Sequence, residues 1–301
     1  MFRYLPILFI TVMLSCSTAK EKEESYTSEK PRIAVVNYPL YYFAKSIGGD
    51  LIKVYLPAID GDPAYWKPDA RQVNNFQGAD LILANGAGYA RWMEKVSLPS
   101  SKIINTSAGF KNQWIETTEG LAHSHGPEGE HVHKGTAFTT WLNFDFARQQ
   151  ASVVYQELVK LLPEKVEEIK NNYELIDKEL AELDSKMKTV AKQLDGEYVI
   201  ASHPVYQYLE SAYGLNMISL HWEPEAFPGN KEWKNLQHLI EDHDGSLMIW
   251  EAEPSTEIKT KLNELNLSFT VFSPCANKPS KGDFYEIMKE NISMLEEITL
   301  K

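Results

Sequence analysis

The sequence predicts an α/β protein of two lobes, each a mainly parallel sheet flanked by helices, joined by a single long backbone helix. Short β-branched strands alternate with amphipathic helices before residue 144 and again after residue 196, the pattern of parallel sheets covered on both faces. Between them runs helical periodicity of about thirty residues, a rod of about 45 Å at 1.5 Å per residue. The expected boundaries are 32–144 for the first lobe, 145–194 for the helical connector and 195–301 for the second lobe.

Arg32-Ile-Ala-Val-Val-Asn37 reads as the first strand, followed by a helical stretch through Tyr41 to Ile47. Leu51 to Leu56 reads as a second strand, ended by Pro57. A helix from about Asp69 leads into the apolar strand Asp80-Leu-Ile-Leu-Ala-Asn85, ended by Gly86. A short helix around Tyr89 to Val96 and a strand from Lys102 to Asn105 follow. Phe144 to Leu162 has helical spacing and stops at Pro163, which suits the first position of the next helix, reaching about Leu194. There Val166, Ile169, Tyr173, Ile176, Leu180, Leu183, Met187, Val190 and Leu194 recur every three or four residues. Clean heptads are missing, so a connector packed on its own protein fits better than half a coiled coil. After Gly196 come strands at Tyr198–Ala201, Met217–Leu220, Leu247–Trp250 and Phe269–Phe272, with helices at Val205–Tyr213, Asn230–Glu241, Thr256–Leu265 and Asp283–Ile298. Ligands in such sheets bind beyond the carboxyl ends of the strands, here expected to face one another across a cleft.

Residues 1–15 read as a lipoprotein signal peptide. Arg3 supplies a positive start, and the apolar run Leu5 to Leu14 is too short to span a bilayer. The ending Leu14-Ser-Cys16 resembles the bacterial lipoprotein processing site, which would make Cys16 the lipidated N-terminus; the alternative is an ordinary secretory leader with an incidental cysteine. Residues 16–31, rich in Ser, Thr, Lys and Glu, form a flexible tether. The chain is thus expected in a bacterial cell envelope, in the periplasm or on a membrane surface. With Cys16 lipidated, Cys275 has no disulfide partner. The formal charge of −12 disfavours nucleic acid, because phosphate binding needs a basic surface.

The segment His123-Ser-His-Gly-Pro-Glu-Gly-Glu-His-Val-His133 holds four of the eight histidines. Imidazole and carboxylate are ligands for zinc and similar cations, and His123, His125, His131 and His133 are candidate metal ligands. Gly126, Pro127 and Gly129 argue for an adaptable loop. A cloning tag would not be internal and interrupted by acids.

The order of several motifs resembles the substrate-binding lipoproteins of zinc and manganese ABC transporters, over nearly all of the mature chain. They are Tyr38-Pro-Leu-Tyr-Tyr-Phe-Ala-Lys-Ser-Ile-Gly-Gly49, Gly61-Asp-Pro63, Ala79-Asp-Leu-Ile-Leu-Ala-Asn-Gly86, Trp141-Leu142, Ser202-His203, Tyr213-Gly-Leu215, Ala252-Glu-Pro254 and the terminal Asp283-Phe-Tyr with Asn291. The resemblance implies a periplasmic metal-binding protein of the zinc type, carrying a His-rich loop just before Trp141-Leu142. It also implies a monomer that passes its metal to a membrane permease.

Four ligand positions follow from that resemblance, and only His203 is kept. Ala64 stands where zinc members have a His after Asp-Pro, Thr139 where a second His is usual, and Ser273 where the last strand's carboxylate is usual. Ala64 has no donor atom, and neutral hydroxyls are poor zinc ligands. A different cage is expected from His203, His221, Glu223 and Glu251, which follow three strands of the second lobe together with Glu253. The alternative has His221 and the glutamates merely hydrogen-bonding at helix N-termini. Cys275 is either a thiolate ligand or a small buried hydrophobe. Trp66, Trp222 and Tyr206 near these motifs either line the cleft against an organic ligand or simply fill it, packing being the usual role of aromatic residues near a lobe interface.

Three functions fit. The first is a metal-capturing lipoprotein for zinc, or less favourably manganese. The second keeps the scaffold for a metal chelate or small organic ligand. The third is a zinc buffer or cell-adhesion surface protein acting through the loop. An enzyme is disfavoured, since no HExxH, phosphate loop or activated nucleophile motif occurs.

Overall fold

A computed structural model describes residues 30–59, 66–117, 135–243 and 247–299. Cys16, Ala64 and the four loop histidines lie outside the described residues. Two four-stranded parallel sheets are present. The first has the order β2-β1-β3-β4, from β1 (Arg32–Val35), β2 (Lys53–Tyr55), β3 (Leu81–Ala84) and β4 (Ile103–Asn105). The second has the order β10-β9-β7-β8, from β7 (Tyr198–Ala201), β8 (Asn216–Ser219), β9 (Leu247–Trp250) and β10 (Ser268–Val271). A two-residue antiparallel pair, β5 (Glu116–Thr117) with β6 (Gly135–Thr136), had no expected counterpart, being too short to show alternation.

Several expected boundaries move for local reasons. The first strand ends at Val35 because Asn37 leaves it to cap α1 (Tyr38–Gly48), its Oδ1 accepting the Leu40 N–H at 3.1 Å. That helix therefore starts three residues before Tyr41. Asp69 and Gln72 form a capping box that starts α2 (Ala70–Gln77). The expected helix around Tyr89 is a 3₁₀ turn over Arg91–Lys95. Pro163 opens a 3₁₀ turn before α4 instead of its first turn. In the second lobe α5 spans Gln207–Tyr213, α6 Asn230–His243, α7 Thr256–Glu264 and α8 Phe284–Thr299.

α3 (Phe144–Leu161) leads into α4 (Val166–Gln193), whose 28 residues make a rod of about 42 Å. α4 packs against α1 and α3 of the first half and α5 and α8 of the second, burying Ile169, Ile176, Leu180, Leu183, Met187 and Val190. Val166 and Tyr173, expected on the same stripe, are half-buried. Arg148 on α3 holds Asp177 on α4 through two N–H···O bonds of 2.8 and 3.0 Å, a fork geometry that fixes the crossing. One continuous apolar core joins residues of both sheets. Among the described residues no helix is long and apolar enough to cross a membrane.

Buried polar groups at the carboxyl end of the first sheet satisfy one another. Asn85 Oδ1 accepts from Asn37 and Gln150, Gln150 also donates to Thr106, and Asn85 donates to the Phe138 carbonyl. Gly86 has φ 81°, and a Cβ there would lie 2.1 Å from Ser107 Oγ, so only glycine lets the chain turn at this point. The network fixes the segment carrying Thr139 to Leu142, from which the buried Trp141 donates its Nε1–H to the Pro274 carbonyl at 2.7 Å across the lobes. Trp141→Phe should lower unfolding stability by about 1–3 kcal/mol, by stranding that buried carbonyl. A urea titration of both chains without metal checks this.

Candidate metal centre

The three loops leaving β7, β8 and β9 lie side by side because their strands are neighbours in one parallel sheet, and main-chain bonds staple them. Ser202 N–H donates to the Ile249 carbonyl at 2.9 Å, Trp222 N–H to Ser202 at 2.8 Å, and Ser255 N–H to Pro224 at 2.9 Å. Beneath them Trp222 meets Trp233 with ring centroids 4.8 Å apart and Trp250 at 6.2 Å. Rigid loops over a close-packed aromatic floor hold side chains in register without a ligand's help.

These loops bring together His203, Glu223 and Glu251, each offering a donor atom within 4.8 Å of the others. His203 is 8% exposed and its Nδ1 lies 3.7 Å from Glu223 Oε1. Glu223 is the open side, its side chain 50% exposed, and Glu251 is half-buried. An imidazole and two carboxylates match the donor types that zinc takes, and three protein donors leave positions open.

His221 stands at the rim. It is exposed, and its ring lies edge-on to His203 with centroids 6.0 Å apart, outside the donor group. Glu253 is also outside, paired with Lys259. The helix-terminus alternative fails at α7, whose cap is Ser255, with Oγ accepting from Ile258.

The positions that the resemblance assigned to ligands do other work. Thr139 is buried and donates its hydroxyl to the Val205 carbonyl at 2.5 Å, tying one lobe to the other. Beside it a cavity of about 10 Å³ lies between Phe138, Thr139, Pro204 and Val205, at the lower limit for a single water. A larger opening of about 460 Å³ lies between Tyr41, Leu56 and Ile59 of the first lobe and Asn277 and Lys278 of the second. Ser273 Oγ accepts the Cys275 N–H at 3.3 Å, and Asn291 bonds both its N–H and its carbonyl. Cys275 is buried, and burial, with the Asp283 charge adding, pushes its thiol up to about 12. It is a buried, protonated thiol that lies outside the donor group. Trp66 packs edge-on against Trp92, and Tyr206 is buried with its hydroxyl on the Phe272 carbonyl at 2.8 Å.

The donor residues were visible as His and Glu beyond strand ends, but the Thr139–Val205 bond and the Ser255 staple were not. A hydroxyl or an amide that meets a distant carbonyl leaves no motif.

A native chain carrying Cys16→Ser should resist alkylation at pH 8 by about three orders of magnitude relative to a free thiol, because thiolate is the reacting form. Since the folded thiol keeps its proton, its stabilisation is present at neutral pH and is lost as pH rises from the unfolded thiol's value toward 12. Timed iodoacetamide labelling, native and in urea, checks the first point.

Comparisons with known proteins bear on what such a centre serves. The family model described as zinc-uptake complex component A, periplasmic, matches residues 33–298. The high-affinity zinc uptake system protein ZnuA of Bacillus subtilis is 23% identical over 97% of this chain and 95% of its own length. The manganese ABC transporter substrate-binding lipoprotein PsaA of Streptococcus mitis is 23% identical over 97% and 96%. Among solved structures, the Zn(II)-bound ZnuA-like domain of Streptococcus pneumoniae AdcA superposes with a TM-score of 0.75 at 20% identity, covering 91% of this chain and all of that one.

Proposed function

From its membership of the zinc-uptake complex component A family, to which the chain belongs over residues 33–298, we propose that it captures zinc at the His203–Glu223–Glu251 centre and delivers it to an ABC permease. The observation that carries this reading is the convergence of three donors on stapled loops of one sheet. His221 is within reach of a loop adjustment as a further imidazole. In this reading the family's cage between the lobes is given up: Thr139 and Ser273 bond main-chain groups instead of metal.

The remaining parts follow from the sequence. Cys16 carries the lipid that holds the protein to the envelope surface. His123, His125, His131 and His133 gather metal weakly. The nitrogen-rich loop favours zinc over manganese. The protein acts as a monomer and returns its cargo unchanged, with no catalytic step.

Calorimetric titration of zinc into a chain with the four loop histidines changed to Ala should show one site per molecule. Adding His203→Ala should weaken that site about a hundredfold, since zinc sites of four ligands supply about 3 kcal/mol per ligand. His221→Ala should cost less than about tenfold, as expected of a group that only adjusts the centre. Undiminished one-to-one binding after loss of both His203 and His221 would refute the assignment.

A further inference from the structure

Among the described residues the large apolar side chains left exposed are Leu175, Tyr198, Phe227 and Met294. Leu175 and Met294 stand on helices, and Tyr198 is stacked on His243 with ring centroids 4.4 Å apart. Phe227 is 52% exposed and belongs to the loop between β8 and α6, on the same turn of chain as the donor Glu223. Main-chain bonds fix that loop on both sides of it. The Ala226 N–H donates to the Glu223 carbonyl at 3.2 Å, and the Trp233 N–H to the Gly229 carbonyl at 3.1 Å. The Phe227 ring lies 5.6 Å from Trp233, which in turn meets Trp222 beneath the donor loops. An apolar ring fixed in place yet left in water loses little freedom when a partner covers it.

We propose that Phe227 is the anchor by which the protein docks on its permease, entering an apolar socket rimmed by lysine or arginine. This rests on the metal-capture reading above. Charge selects the partner. Residues 221–230 carry the exposed Glu223 and Glu225 and no lysine or arginine. Such a surface repels anionic lipid and a second copy of itself, and it attracts a basic rim. Position agrees with charge. Glu223 is the open side of the centre, so a surface that seats Phe227 also meets the side on which the metal is reached.

The test is uptake of radioactive zinc by cells deleted for this gene and supplied with full-length variants at equal amounts. Phe227→Ala should lower the uptake rate by about tenfold or more, the loss expected of an aromatic anchor at an interface. Its calorimetric zinc affinity and its urea stability should match those of the wild type. Phe227→Trp should keep most of the uptake, and Glu225→Gln should lower it by about threefold through slower encounter. Uptake unchanged by Phe227→Ala overturns the proposal. Weakened zinc binding in that variant also overturns it, because the ring then serves the centre itself. Two further outcomes assign the ring to another occupant and overturn it as well: a dimer seen by light scattering that Phe227→Ala abolishes, or flotation of the Cys16→Ser chain with phosphatidylglycerol vesicles that the same change abolishes. Failure of the underlying reading looks different: zinc uptake is then unchanged by deleting the gene, or by His203→Ala.

Discussion

The apolar stripe of α4 constrains the rest of the molecule. A single helix buries Ile169, Ile176, Met187 and Val190 in a core shared with helices of both lobes, so neither lobe completes its core without it. Separating the lobes would expose part of that shared surface, at about 25 cal/mol per Å² of apolar area. The lobes therefore meet as one packed body. Their meeting line is then finished by directional bonds: Thr139 to Val205, Trp141 to Pro274, and the Tyr38 N–H to the Ala276 carbonyl at 2.9 Å.

A meeting line bonded in this way at Thr139 changes where chemistry can happen. Donors from two bodies can grip an ion only if there is space between them, and around Thr139 that space is about 10 Å³. Donors from one sheet need no such space. His203, Glu223 and Glu251 come from adjacent strands whose order is fixed by hydrogen-bonded register, Ala201 opposite Ser219 and Ile249. The centre's precision thus derives from β-pairing, and its openness from facing outward.

Much of this was legible in the residues. The β-branched runs marked every strand of the two sheets, and the three-to-four spacing marked α4, because burial imposes those periods directly. Asn37 was hidden because a cap residue looks like the last residue of a strand until the helix after it is seen. Ala64, Thr139 and Ser273 declared that a familiar cage was missing, and His203, Glu223 and Glu251 could be nominated from strand ends. That His221 stands aside from them depends on side-chain direction in a loop, which no periodicity encodes.

The short pairing of β5 with β6 has one more consequence. Glu116 faces Thr136 and Thr117 faces Gly135, so the chain re-enters the fold beside the point at which it left. Closure cost grows only with the logarithm of the enclosed length. Residues 118–134 therefore occupy a graft point, where a tract of different length or composition can be exchanged while the two sheets keep their geometry. Its histidines can be added or removed there without altering the pairing of either sheet.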